Sequence, residues 1–385
     1  MKIVHTSDWH AGRVWKNISR LDELEACLDH LAVYIERESV DLLLVTGDVF
    51  DSGAPAARAE RTVFRFFKRV GESGTHTVVI AGNHDSSDRF EAWGALTELV
   101  NVWTVGRPKP AKDGGVLTIP TRCGETAVVA AVPFAAQRRL VSALDLAEGD
   151  DVAMNTYADK MGEIIKVLCR SFRNDTVNLL CLHTHLEGAI KGGSERQVHL
   201  GEDWAALPAS LPADAHYIAL GHIHRPQKVA APSPTYYAGS PLQLDFGEAG
   251  EEKSFRVVQV KPGPRPATIT SVPYVGAKPL LQVNETLAVI EGRASELRDA
   301  GWLRVVVKLE QPDPDINRRV RNLLPNAVSV DCEVPRTMSR EMEVSLDSSS
   351  PSELFRQYFR ETHGREATDE LIEVFNELRA EVEEN

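Results

Sequence analysis

The chain has 385 residues, 43% of them hydrophobic and 26% charged, a globular balance sufficient for about two to three domains without disulfide or metal support. Its 43 Lys and Arg against 56 Asp and Glu give a net charge of −13. That argues against coating nucleic acid or anionic membrane by bulk charge, while leaving room for a local basic groove or a metal site. Cys27, Cys123, Cys169, Cys181 and Cys332 are scattered with no CxxC pair, so neither a disulfide framework nor a thiolate zinc site is expected. The opening MKIVHTSDWHAG has no apolar run of signal-peptide length, and no stretch approaches a membrane span. A reducing, cytoplasmic compartment without membrane association is therefore expected.

In chain order, Met1–His5 reads as a short strand. Leu21, Leu24, Leu28, Leu31 and Ile35 then recur at helical spacing. DLLLVT (41–46) is a continuous apolar run, as expected of a strand covered on both faces. A helix with Val63, Phe66, Phe67 and Val70 leads to the strand His76–Ala81. The runs at 126–132, 177–183, 217–222 and 255–260 read as further strands, with a helical stretch at 152–173. This alternation predicts an α/β domain over 1–265 with a large sheet. The Pro- and Gly-rich KPGPRPA (261–267) predicts a boundary. A smaller α+β module is expected over 266–345, with helical 286–300, a strand at 302–310, helical 313–324 and a strand at 327–334. DSSSPS (347–352) reads as a second linker, and two short amphipathic helices over 350–385 close the chain.

Several of the apolar runs end in a polar cluster. These are Asp8-Trp-His10, Gly47-Asp48-Val-Phe-Asp51, Gly82-Asn83-His84-Asp85, His183-Thr-His185 and Gly221-His222-Ile-His224. Sites in α/β sheets gather beyond the carboxyl ends of strands, so these clusters are expected to converge. Each alone is more often a cap or a turn than a site, but all of them in this order are hard to explain by turns. Asp, His and Asn without thiolate suit a pair of borderline divalent ions such as Mn²⁺, Fe²⁺ or Zn²⁺, with one carboxylate bridging them.

That ordered set resembles the calcineurin-like metallophosphoesterase superfamily, whose pattern is DxH, GDxxD, GNHD/E, H and GHxH. The resemblance covers roughly residues 1–260 and implies a two-sheet α/β sandwich that hydrolyses phosphoesters at a di-metal site. It assigns Asp8, His10, Asp48 and His224 to one ion, and Asp48, Asn83, His183 and His222 to the other. His84 matches the histidine that stabilises or protonates the leaving oxygen. The stretch around Tyr237-Ala-Gly239-Ser240-Pro241, Asp245–Glu248 and the loop GGSERQVHLG (192–201) lie outside that general pattern. They resemble the SbcD-type family of bacterial DNA-repair nuclease subunits. This second resemblance implies a manganese-dependent exonuclease and endonuclease acting on DNA ends and hairpins, a capping DNA-binding module, and a homodimer. It also implies a C-terminal helix–loop–helix that grips a coiled-coil ATPase of the SbcC type, and association with the nucleoid. In this family the bacterial branch carries Asp at the position of Asp51, for which two roles stand open, orienting His84 or structural. Asp51 is counted with His84 among the expected catalytic residues.

Two other readings compete. A phosphatase or small-molecule phosphodiesterase is disfavoured because GDVFDSG and GNHDSSD depart from the GDxxDRG and GNHE of the serine/threonine phosphatases. A scaffold that lost its metals is disfavoured by the complete ligand set. His5, His30, His76, His199, His216 and His363 are expected to be structural or superficial, whereas His185 either enters the site or supports it. Apolar residues on 56–70 and Phe90, Trp93, Leu96 and Leu99 are expected to supply a dimer contact. Arg318, Arg319 and Arg321 are expected to form a basic patch that helps hold DNA.

Overall fold

The computed structural model describes residues 1–135, 157–192, 195, 205–334, 350–363 and 366–383. It divides into two compact units, Met1–Glu333 and Val334–Asn385. The first contains two six-stranded sheets stacked face to face. In one, Lys2–Thr6, Leu42–Thr46, His76–Ile80 and Val102–Val105 run parallel, with Ser254–Gln259 and Thr268–Pro273 antiparallel at one side. In the other, Thr126–Val132, Val177–His183, Tyr217–Gly221 and Thr235–Tyr237 run parallel between antiparallel edges Val116–Pro120 and Gln227–Val229.

The apolar run at 41–46 accounts for the layering. Successive side chains of a strand point to opposite faces. Leu42 and Leu44 pack with Val129, Leu179 and Ala219 between the sheets, while Leu43 and Val45 pack under helices Leu21–Arg37 and Ala57–Glu72. On the far side, helix Tyr157–Cys169 covers the second sheet through Met161, Ile165 and Leu168. The expected α/β two-sheet sandwich is therefore what the chain builds.

The sequence reading differs from the structure at several points. KPGPRPA joins two antiparallel strands of the first sheet, and Thr268–Pro273 continues that sheet past residue 265. Pro and Gly punctuate a tight strand connection as readily as a linker, and composition cannot separate the two. The region expected as one helix at 286–300 is two, Leu287–Gly292 and Ala294–Asp299, broken at Arg293. They belong to a three-stranded parallel sheet of Leu280–Thr286, Trp302–Lys308 and Ala327–Glu333, with helix Ile316–Leu323 and its own apolar core. The first of these strands, LLQVNET, is half polar and escaped the reading. Residues 152–156 of the expected long helix, and 335–345 of the module, lie outside the described residues.

Val63, Phe66, Phe67, Val70 and Phe90, expected to face a second copy, are buried in this chain's own core, with Phe64 and Trp93 packed against it. Among the described side chains of that set Leu99, 81% exposed, is the exception, and the Leu96 side chain lies outside them. The three arginines of the expected basic patch already have partners: Arg318 with Asp315, Arg319 with Asp313 and Glu291, Arg321 with Asn317 and the Ala327 carbonyl. In the second unit, Ser350 and Glu353 form a reciprocal cap, the Ser350 N–H donating to Glu353 Oε2 (2.8 Å) and the Glu353 N–H to Ser350 Oγ (3.3 Å). Pro351 fits the first helical position of Pro351–His363 because its missing N–H would be unbonded there anyway. That helix forms a hairpin with Asp369–Glu383, the Phe355 and Phe375 rings stacked at 4.3 Å. Among the described residues no helix is long and apolar enough to cross a membrane.

Candidate metal centre

Every expected site residue follows the carboxyl end of a parallel strand, or ends one. Asp8 and His10 follow Lys2–Thr6, Asp48 follows Leu42–Thr46, and Asn83 and His84 follow His76–Ile80. His183 ends its strand in the second sheet, and His222 and His224 follow Tyr217–Gly221. The two rims are joined where His183 Nδ1 donates to the Thr46 carbonyl at 2.7 Å.

The loops are tightly wound. Asp8, His10, Asp48 and His222 all have positive φ, at 54°, 47°, 48° and 102°, a region uncommon for residues other than glycine and costing on the order of 1–3 kcal/mol each. Bonds between loops hold them there. The Asp8 N–H donates to the Gly47 carbonyl (3.0 Å), the His10 N–H to the Asp48 carbonyl (2.9 Å) and the His222 N–H to Asp8 Oδ1 (3.0 Å). Gly47 and Gly82 permit the approach, since a Cβ would lie 2.2 Å from His183 Nδ1 at the first and 2.1 Å from Asp48 Oδ1 at the second.

The donor atoms converge in overlapping groups. Ligand atoms of Asp8, His10 and His224 lie within 4.8 Å of one another, as do those of Asp8, Asp48 and His183, and of His10, Asp48 and His84. Asn83 Oδ1 is 3.0 Å from His183 Nε2 and 2.9 Å from His222 Nδ1. Asp48 Oδ2 stands 3.7 Å from His10 Nε2 and 3.5 Å from His183 Nε2, so this carboxylate lies between the groups.

The ring protons of His10, His183 and His224 point away from the centre of the site. His10 Nδ1 faces the Asp51 carboxylate at 3.2 Å, His224 Nδ1 faces that of Glu248 at 3.4 Å, and His183 Nδ1 faces a carbonyl. All three partners only accept, so Nδ1 carries the proton and Nε2 presents a lone pair. Yet His10 Nε2 and His224 Nε2 face each other at 3.1 Å, and His183 Nε2 faces the oxygens of Asn83 and Asp48. Asp8 Oδ2 is buried without any hydrogen bond. Buried acceptors opposed in this way are costly until a cation lies between them, so the residues fit divalent metal.

The electrostatics agree. Burial pulls the His10 imidazole down to about 4 and lowers His183 and His222 as well. Burial, then the Asp48 charge, raises the Asp8 carboxyl. Burial opposes ionisation of Asp48 too, but the His183, His10 and His84 rings hold it below the usual carboxylate range. Burial thus favours the neutral imidazole at His10, His183 and His222, beside carboxylates.

The geometry also bears on Asp51 and His185. Asp51, counted among the expected catalytic residues with two roles open, touches two of the site's histidines. Its carboxylate faces His10 Nδ1 and lies 3.7 Å from Arg13, while its main-chain carbonyl accepts from His84 Nδ1 at 2.9 Å. Both contacts suit the orienting role, one of the two open for it. His185 lies outside the three groups of converging ligand atoms. Residues the sequence reading did not assign also brace the site. The Asp85 carboxylate, pushed up to about 7 by burial and by Asp48, accepts from the N–H groups of Val49, Phe50 and Gly82. Glu195 Oε1 accepts from the His224 N–H, and Glu248 pairs with Lys253. Asp85 lies in the GNHD motif, and Glu195 and Glu248 in stretches outside the general phosphoesterase pattern, while nothing local marks Lys253 as the partner of Glu248.

Residues 1–226 match the family described as calcineurin-like phosphoesterase, and residues 277–363 the type 5 capsule protein repressor C-terminal domain. The chain is 30% identical to the SbcD component of nuclease SbcCD from Bacillus subtilis, over 100% of this chain and 99% of that one. It is 28% identical to the protein of that name from Escherichia coli K12, covering 97% and 94% of the two chains. The Rhodobacter capsulatus protein is 27% identical, covering 82% of each. With its motifs on converging strand ends and its relatives aligned over nearly full length, the chain belongs to the calcineurin-like phosphoesterase family and, within it, to the SbcD family of SbcCD nuclease components.

Proposed function

We propose that this chain is the nuclease component of an SbcCD-type complex, hydrolysing phosphodiester bonds of DNA ends and hairpins with two manganese ions in the cytoplasm, at the nucleoid. The observation that carries the metal chemistry is the pair of opposed lone pairs on His10 and His224, 3.1 Å apart with both Nδ1 protons engaged elsewhere. Asp8, His10, Asp48 and His224 would hold one ion, and Asp48, Asn83, His183 and His222 the other. Two such cations supply charge for the phosphate oxygens and lower the pKa of water to near neutrality.

The remaining work falls to the chain. Asp48 Oδ1 accepts from the His84 N–H at 2.8 Å, which leaves Oδ2 for the space between the two ligand groups. His84 is aimed by its Nδ1 bond to the Asp51 carbonyl, so its free Nε2, when the ring is protonated, can pass a proton to the leaving oxygen. The C-terminal hairpin is the proposed dock for a coiled-coil ATPase, with the module after residue 276 as a cap that helps hold DNA.

The test is labelled linear duplex and hairpin DNA incubated with the manganese-loaded protein, with and without an SbcC-type ATPase. Metal-dependent cleavage is expected. Turnover of bis(p-nitrophenyl) phosphate without cleavage of any DNA would favour a small-molecule phosphodiesterase, and failure to bind manganese would favour a scaffold.

A further inference from the structure

The segments that set this chain apart from the general phosphoesterase pattern converge on one ligand, His224. Its N–H donates to Glu195 Oε1 at 3.1 Å, from the stretch 192–201. Its carbonyl accepts from the Ser240 N–H at 3.1 Å and from Lys253 Nζ at 2.9 Å. Its Nδ1 faces Glu248 Oε1 at 3.4 Å.

Glu248 is fully buried, and its other oxygen accepts from the Leu244 N–H (3.0 Å) and from Lys253 Nζ (2.7 Å). Lys253 is buried as well and reaches Glu251 at 2.9 Å. A fully buried ion pair rarely improves on apolar packing in stability. Its presence against one ring nitrogen of one ligand therefore calls for another account.

His10 and His183 meet weaker partners at the same ring nitrogen. His10 Nδ1 faces the Asp51 carboxylate, whose side chain is 32% exposed, and His183 Nδ1 faces a main-chain carbonyl. His224 sits with Asp8 and His10 in one group of converging ligand atoms, whereas His183 groups with Asp8 and Asp48.

We propose that Glu248, locked by Lys253, is a positioning residue that keeps the proton on His224 Nδ1, turns Nε2 inward and selectively tightens the ion held by Asp8, His10 and His224. This rests on the two-ion reading above and adds an inequality between the ions. Outer partners of a ligating histidine typically contribute about 10–100-fold in metal affinity.

The experiment is manganese titration of the full chain by calorimetry, with the paramagnetic resonance signal separating one bound ion from a coupled pair. In Glu248→Met/Lys253→Met, which removes both buried charges together, one ion should weaken by about 10–100-fold while the other keeps the parent affinity. Glu248→Gln retains an oxygen that can accept the Nδ1 proton, so it should keep most of the affinity despite leaving Lys253 without its nearest carboxylate. A structural brace would give the opposite order, with Glu248→Gln the worse variant. Equal weakening of both ions, no change at either, or unfolding of both variants would overturn the proposal. If the parent protein bound no manganese, the two-ion reading itself would fall, a result separate from any difference among variants.

Discussion

Asp48 divides its two carboxylate oxygens between a bond to the His84 N–H and the space shared by His10 and His183. Removing it takes a ligand from both proposed ions, so Asp48→Ala should abolish manganese binding and cleavage together. His84→Ala should behave differently. Its ring has a nitrogen within reach of His10 and Asp48, but its proposed task is proton transfer, worth about 10²–10⁴-fold. Cleavage should fall by that factor while titration still finds two ions; loss of an ion would make His84 a ligand instead. His5 permits a third prediction. Burial, helped by the Arg256 charge, lowers its pKa from 6.5 to about 3, with the ring bonded to Tyr217 and Thr46. As pH falls below 6.5 the unfolded chain binds a proton there and the folded chain does not, so stability drops until about pH 3, on the order of 1.4 kcal/mol per pH unit. Urea denaturation between pH 6 and 4.5 should give a stability-versus-pH slope about one proton shallower in His5→Asn; identical slopes would remove His5 from the acid response.

At the scale of elements, the strand Leu42–Thr46 faces both layers, and its Leu44 is fully buried between the sheets. Leu44→Ala should cost about 2–5 kcal/mol, measured as a drop in the denaturation midpoint with an unchanged slope. The turn Phe246–Glu248 carries Glu248 to His224, and its Phe246 carbonyl accepts from Gln282 Nε2 at 3.1 Å. The parallel-sheet module is thus hydrogen-bonded to the same turn that braces a metal-site histidine. In the C-terminal hairpin Tyr358 and Leu378 are 61% and 57% exposed, although the hairpin has its own cap and a stacked aromatic pair. Exposed apolar residues on a helical hairpin suit helix-in-groove or coiled-coil docking. Deleting residues 350–385 should leave manganese-dependent cleavage of simple substrates intact and abolish ATPase association, by pull-down; misfolding of the truncated chain would contradict it.

For the whole molecule, charge and assembly are the properties that matter. With a net charge of −13, the proposed DNA affinity would have to come from local cations and from the metal site, and should fall steeply with salt. The arginines on Ile316–Leu323 already engage carboxylates or carbonyls, so reversing all three would test whether the proposed DNA patch survives that engagement. An unchanged affinity and salt slope would reduce it to surface. A homodimer is an expectation from the family resemblance, and light scattering at micromolar concentration checks it. Most of the aromatic residues expected to build that contact are instead committed to the chain's own core.

The sequence alone determined the α/β class, the positions of most central strands and the motif residues, because each of these is written locally. A strand buried on both faces is an unbroken apolar run, and a ligand motif is a fixed spacing of Asp, His and Asn. What only the tertiary structure decided was everything that depends on distant segments meeting. Half-polar strands such as Leu280–Thr286 take their identity from their neighbours in the sheet. The Pro- and Gly-rich patch became a connection within a sheet once Thr268–Pro273 found Ser254–Gln259. The apolar face of Ala57–Glu72 was legible, but whether it met this chain or another was not. Above all, the supports of the site are single residues brought together across the chain: Lys253 and Glu248 at His224, Asp85 at two loops, Asp51 beside His10. A buried charge has no sequence period, and only the fold reveals which proton it holds in place.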